Sequence, residues 1–153
     1  MASKSKVCFF FDNVKVSLKK RSELKRFIEI IFKMEKKKLA GLNYIFCSDK
    51  RLLEINRQFL AHDYYTDIVT FDFSENRKEI AGEIYISIDR VKSNARQFKV
   101  PVVSELHRVI FHGALHLCGY KDKNQAEKLK MTGKENLYLT KYFSVVPRDT
   151  VSG

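Results

Sequence analysis

Cysteines, acidic residues and long apolar runs are all scarce in this 153-residue sequence, and each scarcity excludes something. The three cysteines, Cys8, Cys47 and Cys118, are odd in number, far apart and set among apolar neighbours. That pattern argues against a disulfide framework and for reduced, buried thiols of a cytoplasmic protein. No segment comes near the roughly 18 apolar residues of a membrane-spanning helix, which excludes integral membrane insertion. The run Val7–Phe11 follows lysines but is too short for a signal-peptide core and meets Asp12 at once. Acidic residues number 18 against 29 lysines and arginines, a formal net charge of +11. Such an excess favours a polyanionic partner, either nucleic acid or an anionic membrane surface.

With 44% hydrophobic and 31% charged residues, the rest is the composition of a globular domain rather than of a disordered chain. The length suits one core, and no repeat, low-complexity tract or linker divides it. Residues 1–143 are expected to form one domain and 144–153 a flexible tail. Val7–Phe11 reads as an interior strand. A helix follows over Ser22–Lys38, capped by Ser22 and ended by Gly41. Leu42–Cys47 reads as a second strand, and Ser48 or Asp49 caps a helix through Phe59. Ile68–Phe73 and Glu83–Ile88 read as strands that pair antiparallel across the Ser74–Glu79 loop. From Asp89 the pattern turns helical: Val91, Ala95 and Phe98 mark one helix, and Pro101 separates it from a second that starts at Val102 or Ser104 and runs to Leu117. A last helix spans Asn124–Tyr142, with Ala126, Leu129, Leu137 and Tyr138 as its apolar stripe. The order β-α-β-α-β-β-α-α-α predicts a single α/β domain with a mixed four-stranded sheet and a helical half.

That helical half holds the stretch from His112 to Asp122. Two of the four histidines, His112 and His116, stand four apart in an apolar helical pattern, so their rings converge on one face. Gly119 fits a left-handed cap that reverses the chain. After that reversal Asp122 can return to the same face as an oxygen ligand. Two imidazoles and a carboxylate, with one position open, form a ligand set of catalytic zinc. Cys118 points off this face and is expected to pack. His62 and His107 lack a partner at ligand spacing and are expected at the surface or in packing. Glycines at 113 and 119 leave room for a close approach of backbone or substrate.

The offsets match the zinc-protease pattern H-E-x-x-H-x-x-G-x-x-H, which makes this a zincin-like metal-binding helix. Gly113, however, stands where that pattern needs its glutamate base, so peptide hydrolysis lacks its proton acceptor. With the basic charge, RNA becomes the natural substrate.

The string H-G-A-L-H-L-C-G-Y-K-D resembles the signature H-G-x-L-H-L-x-G-Y-D-H of the YbeY family, the bacterial endoribonucleases of ribosome maturation. Asn56 with Tyr65–Phe71 is similar to that family's N…P-T-D-V-L-S-F segment, and Ala81–Ser87 to its G-D-I-x-I-S strand. Glu105, seven residues before His112, and Met131 and Glu135 also fit the family. The resemblance spans about residues 7–142. It implies a metal-dependent endoribonuclease specific for single strands, acting in 3′-end maturation of small-subunit ribosomal RNA and in ribosome quality control. The implied partners are ribosomal RNA and the ribosome or its small subunit with associated proteins. Two departures stand out: Asp122 replaces the family's usual third ligand, a histidine, and Leu60 replaces a common arginine, for which Arg57 can stand in.

The expected site therefore comprises His112, His116 and Asp122 around one Zn2+ or another divalent ion, with Arg57 and Glu105 as candidate catalytic residues. Glu105 lies two turns before His112 on the same face, suited to orienting an imidazole or else a solvated helix-start glutamate. Asp67 has a similar choice between orienting a ligand and capping a turn. Arg57, Arg96, Lys121, Lys123 and Tyr120 are expected RNA contacts; Tyr64, Tyr65 and Tyr120 divide between stacking on unpaired bases and core packing. The lysine-rich segment from Lys15 to Lys38 divides between a solvated helix face and phosphate tracking. A non-catalytic alternative is a ribosome-associated RNA-binding factor with structural zinc.

Overall fold

Parallel pairing of the first two strands sets the architecture of the computed structural model, which describes residues 4–76 and 78–148. Strand β1 (Val7–Phe11) lies beside β2 (Lys38–Cys47), with Val7 opposite Leu42 and Phe11 opposite Phe46. Strand β3 (Ile68–Asp72) pairs antiparallel with β4 (Glu79–Ser87), as the short loop between them requires. Because β4 also runs parallel to β2, the sheet is mixed, in the order β1-β2-β4-β3. Helices α1 (Arg21–Met34), α2 (Asp49–Leu60), α3 (Ile88–Phe98), α4 (Val102–Leu117) and α5 (Gln125–Val145) complete the single α/β domain.

Alternation along β4 divides the packing between the two sheet faces. Ile84 and Ile86 join Tyr44 and Phe46 of β2 in the main core, against Ile28 and Ile31 of α1, Ile110, Phe111 and Ala114 of α4, and Tyr138 and Tyr142 of α5. Tyr85 joins a smaller cluster of Cys47, Leu52 and Val69 that α2 covers. Helix α4 is buried around most of its surface, which explains its near-continuous apolar sequence. Two contacts fix its position on the sheet. The Tyr44 hydroxyl donates to the Ile110 carbonyl at 2.8 Å. A Cβ on Gly113 would lie 2.8 Å from Ile84 Cδ1 and 3.0 Å from Ile68 Cδ1. What approaches Gly113 is thus the sheet, and the missing side chain lets α4 sit close to it.

Several local expectations give way to tertiary context. The apolar β1 is an edge strand, not an interior one, and Phe10 is 50% exposed. Helix α1 starts one residue early, behind a left-handed Lys20, and Ser22 lies inside it rather than capping it. It ends at Met34, and the chain reverses at Lys36 (φ 60°), so Gly41 falls within β2 at a register shift rather than ending the helix. Strand β4 begins at Glu79 rather than Glu83 because its first residues extend the ladder with β2. The α5 stripe is Met131, Glu135, Tyr138, Leu139 and Tyr142; Leu129 and Leu137 face solvent. That helix continues to Val145, so Ser144 and Val145 belong to it rather than to the expected tail, whose residues 149–153 lie outside the described residues. The Asn124–Glu127 capping box starts it and Ser48 caps α2.

Candidate metal centre

Helix α4 delivers two candidate ligands and the turn after it a third. His112 and His116 lie one turn apart, with ring centroids 4.6 Å from each other. Helix α4 ends at Leu117, and Gly119, at φ +109°, reverses the chain there. The Gly119 N–H donates to the His116 carbonyl at 3.0 Å and the Tyr120 N–H to the Leu115 carbonyl at 3.1 Å. Asp122 then returns to the histidine face, with Oδ2 3.4 Å from His112 Nε2 and 3.5 Å from His116 Nε2. These separations exceed the 2.7–2.9 Å of a direct charged hydrogen bond. They match instead the roughly 3.3 Å between neighbouring ligands of a tetrahedral ion with bonds of about 2.0–2.1 Å. All three ligand atoms lie within 4.8 Å of one another, and all three residues are half-buried. The donor set and its spacing fit a zinc ion with a position left for water or substrate.

Both imidazoles are oriented from behind. His112 Nδ1 donates to Glu135 Oε2 at 2.5 Å, which leaves Nε2 as the ring's free donor atom toward Asp122. Glu135, nearly buried, accepts through its other oxygen from Arg108 at 2.8 Å, and Arg108 also reaches Asn136 Oδ1 at 2.9 Å. Burial works to lower the His112 pKa, but the hydrogen bond and charge of Glu135, with Asp122 and Asp67, carry it above its ordinary value. His116 moves down, chiefly through burial and the charge of His112, with Asp122 and the Tyr120 carbonyl opposing.

Tyr120, beside this carbonyl, is tied inward. Its hydroxyl donates to Glu35 Oε1 at 2.6 Å, while Tyr138 and Lys134 donate to Glu35 Oε2, Lys134 at 3.1 Å. Burial alone would raise the Glu35 pKa; these three donors outweigh it and hold the carboxylate ionised. The ammonium groups of Lys130 and Lys134 lie 5.9 and 5.6 Å from the centre of the Tyr120 ring. Tyr120 thus anchors the turn carrying Asp122 to the end of α1 and to α5.

The remaining expected residues scatter. Glu105 is buried, but Glu135 holds the only ring nitrogen of His112 that points away from Asp122, so the orienting role foreseen for Glu105 belongs to Glu135. Burial raises the Glu105 carboxyl to about 7. Asp67 is also raised by burial, and it accepts from Asn94 Nδ2 at 3.4 Å while sensing the charges of His112 and Glu135. Arg57 is exposed and pairs with Asp63, and none of its bonds reaches the histidine cluster. Arg96, Lys121 and Lys123 are exposed. His62 is at the surface, its Nδ1 3.0 Å from the Tyr64 hydroxyl. His107 is buried against Phe111, Tyr142 and Phe143, with Nδ1 2.7 Å from the Val103 carbonyl. Cys47 and Cys118 are buried, free thiols, each pushed up to about 12 by burial.

Glu135 and Glu35 had no role from sequence reasoning. Their signal was a glutamate inside an otherwise apolar helical stripe: Glu135 among Met131, Tyr138 and Tyr142, Glu35 after Ile28, Ile31 and Phe32. A buried carboxylate at such a position requires donors from another element.

Comparison with known proteins places this chain among relatives. A family model described as Endoribonuclease YbeY matches residues 10–143. A protein named Endoribonuclease YbeY from Cytophaga hutchinsonii is 52% identical over 134 residues, 88% of this chain and 94% of the relative. One of the same name from Flavobacterium psychrophilum is 56% identical over 102 residues, 67% of this chain and 72% of the relative. The solution structure of a Thermotoga maritima protein superposes with a TM-score of 0.61 at 29% identity, covering 96% of this chain and 99% of that one.

Proposed function

The chain belongs to the YbeY endoribonuclease family, and we propose that its cleavage of RNA is metal-dependent and directed at single-stranded ribosomal RNA, in 3′-end maturation of the small subunit and in ribosome quality control. The observation that carries this reading is the convergence of His112, His116 and Asp122 on one point, on a chain of net charge +11. A zinc ion or another divalent cation held by these three residues would lower the pKa of a water or polarise a phosphoryl oxygen. The chain's own residues do the rest. Glu135 keeps the His112 proton on Nδ1 and the ring in its ligating orientation. The Glu35–Tyr120 contact holds the turn that presents Asp122. Arg57, Arg96, Lys121 and Lys123 supply exposed positive charge for the phosphate backbone, and Tyr64 and Tyr65 offer exposed rings to unpaired bases. The working context is the cytoplasmic ribosome or small subunit with its associated proteins.

The test compares metal-replete wild type with His116→Ala on single-stranded and duplex RNA carrying the 3′ end of small-subunit ribosomal RNA. Wild type cleaves the single strand, a chelator abolishes cleavage and Zn2+ restores it, while His116→Ala binds RNA and leaves it intact. A metal-replete wild type that binds RNA and never cuts it refutes the reading in favour of a non-catalytic RNA-binding factor with structural zinc.

A further inference from the structure

A groove of about 620 Å3 lies between α4 and α5 and is bordered by the link from α3 to α4. Its walls combine three kinds of group. Phe98, Val100 and Leu139 supply apolar surface, Arg108 and Arg148 supply positive charge, and Glu105 supplies a carboxyl. Glu105 is the anomaly. It is only 4% exposed, and among the described residues its carboxyl makes no hydrogen bond or ion pair. A buried carboxylate lacking donors is unfavourable, and that penalty is relieved when a ligand brings N–H groups into the groove. The same burial, with the charges of Asp67 and Glu135, raises the Glu105 carboxyl.

Apolar walls that include the Phe98 ring, flanking cations and one buried acceptor together suit a planar heterocycle that carries N–H donors and is attached to phosphate. That chemistry is a nucleobase in an RNA strand, stacked on apolar side chains and read along its Watson–Crick edge. Among the four bases, guanine presents two adjacent donors on that edge, N1–H and N2–H2, which both carboxylate oxygens can accept. Adenine and cytosine place a ring-nitrogen acceptor beside their single amino donor, and uracil flanks its N–H with carbonyls. A carboxylate repels each of those neighbouring acceptors.

Position links the groove to the metal centre. Glu105, Arg108 and His112 share one face of α4, and Glu105 precedes His112 by about 10 Å of helix. Arg108 stands between them, lining the groove and holding the Glu135 that orients His112. We propose that this groove is a guanine-selective base pocket, with Glu105 as the reading residue, for a nucleotide near the one that meets the metal centre. Its role in cleavage rests on the RNA-cleavage reading above; its binding selectivity does not.

The test titrates GMP, AMP, CMP and UMP separately into the full chain and follows the backbone amide resonances of Ser104, Thr132 and Asn136. GMP binds more tightly than the other three by on the order of tenfold or more. Glu105→Gln, which replaces one acceptor with a donor, removes that margin, and Ser104→Trp, which puts bulk into the groove and leaves residue 105 a glutamate, removes GMP binding. Unchanged circular dichroism shows that each variant folds. On single-stranded RNA, wild-type cuts fall at a fixed offset from guanosines and Glu105→Gln cuts lose that offset. Equal affinity for the four nucleotides, or selectivity surviving either substitution, overturns the pocket. Cleavage at base-independent sites, with no GMP preference, overturns the pocket and leaves the endonuclease. GMP selectivity in a protein that cuts no RNA does the reverse.

Discussion

Replacing Glu135 with glutamine isolates the support behind the metal centre, because the substitution keeps shape and removes charge and one acceptor. The carboxylate uses both oxygens as acceptors, Oε2 from His112 Nδ1 at 2.5 Å and Oε1 from Arg108 at 2.8 Å. Glutamine offers one carbonyl and one NH2. With the carbonyl toward His112, the NH2 opposes the Arg108 guanidinium, donor against donor. With the amide turned over, the NH2 faces Nδ1, and the imidazole proton must move to Nε2, the atom that points at Asp122. Either arrangement weakens the site. Loss of a hydrogen-bond partner behind a metal-bound histidine lowers metal affinity about 10–100-fold, equivalent to about 1.4–2.7 kcal/mol. Competition for Zn2+ against a chromophoric chelator measures this directly on the purified protein, independently of any cleavage. An affinity within about threefold of wild type would show that Glu135 does not orient His112 for the ion and would refute the reasoning.

Two further outcomes follow from packing and burial. Gly113→Ala and Gly133→Ala make the same change in two helices and should move stability in opposite directions. At 113 the new Cβ meets Ile84 Cδ1 at 2.8 Å, so overpacking of about 1–3 kcal/mol outweighs the helix preference of alanine; at 133 nothing lies within 4 Å and about 1 kcal/mol is gained. Urea midpoints decide, and a stabilised Gly113→Ala would show that α4 does not sit as close to the sheet as described. His107, lowered to about 4 by burial with the Val103 carbonyl opposing, binds fewer protons folded than unfolded below its ordinary value of about 6.5. Its contribution is therefore complete above about 6.5 and is lost as pH falls through the window down to about 4, a total of up to about 3 kcal/mol. His107→Phe should lose less stability than wild type between pH 7.5 and 4.5 in urea unfolding; an equal loss refutes this account.

The parts of the molecule legible in the sequence are those governed by local geometry. The four-residue spacing of His112 and His116, the positive φ at Gly119 and the return of Asp122 all lie within eleven residues, so helix periodicity and cap chemistry sufficed. The β3–β4 hairpin was equally local. What escaped depends on distant partners. Glu135 lies 23 residues from His112 and Glu35 lies 85 from Tyr120, and no short-range rule relates either pair. An apolar run such as Val7–Phe11 reads alike at an edge or in the middle of a sheet; only its pairing with β2 alone makes it an edge. Leu129 and Leu137 mislead for the converse reason. The buried face of α5 carries a glutamate and tyrosines, with Glu135 bonded to His112 and Arg108 of α4 and Tyr138 to Glu35 at the end of α1, so the buried stripe is not the most apolar one.

His107 and His112 show why residue type alone could not assign the site. They lie five residues apart on one helix, which turns their side chains to different faces. Both are subject to burial, which favours the neutral ring in each. At His107 the surroundings are three aromatic rings and one carbonyl, with no carboxylate among its bonded partners, so burial prevails and the ring stays uncharged. At His112 three carboxylates, Glu135, Asp122 and Asp67, reverse the outcome. Such a concentration of negative charge around two imidazoles is unfavourable for a cluster meant only to pack, because the carboxylates repel one another. A cation beside Asp122 and the two imidazoles would offset that repulsion. The distinction between a core histidine and a candidate metal ligand on α4 therefore resides in the acids that other elements bring to it.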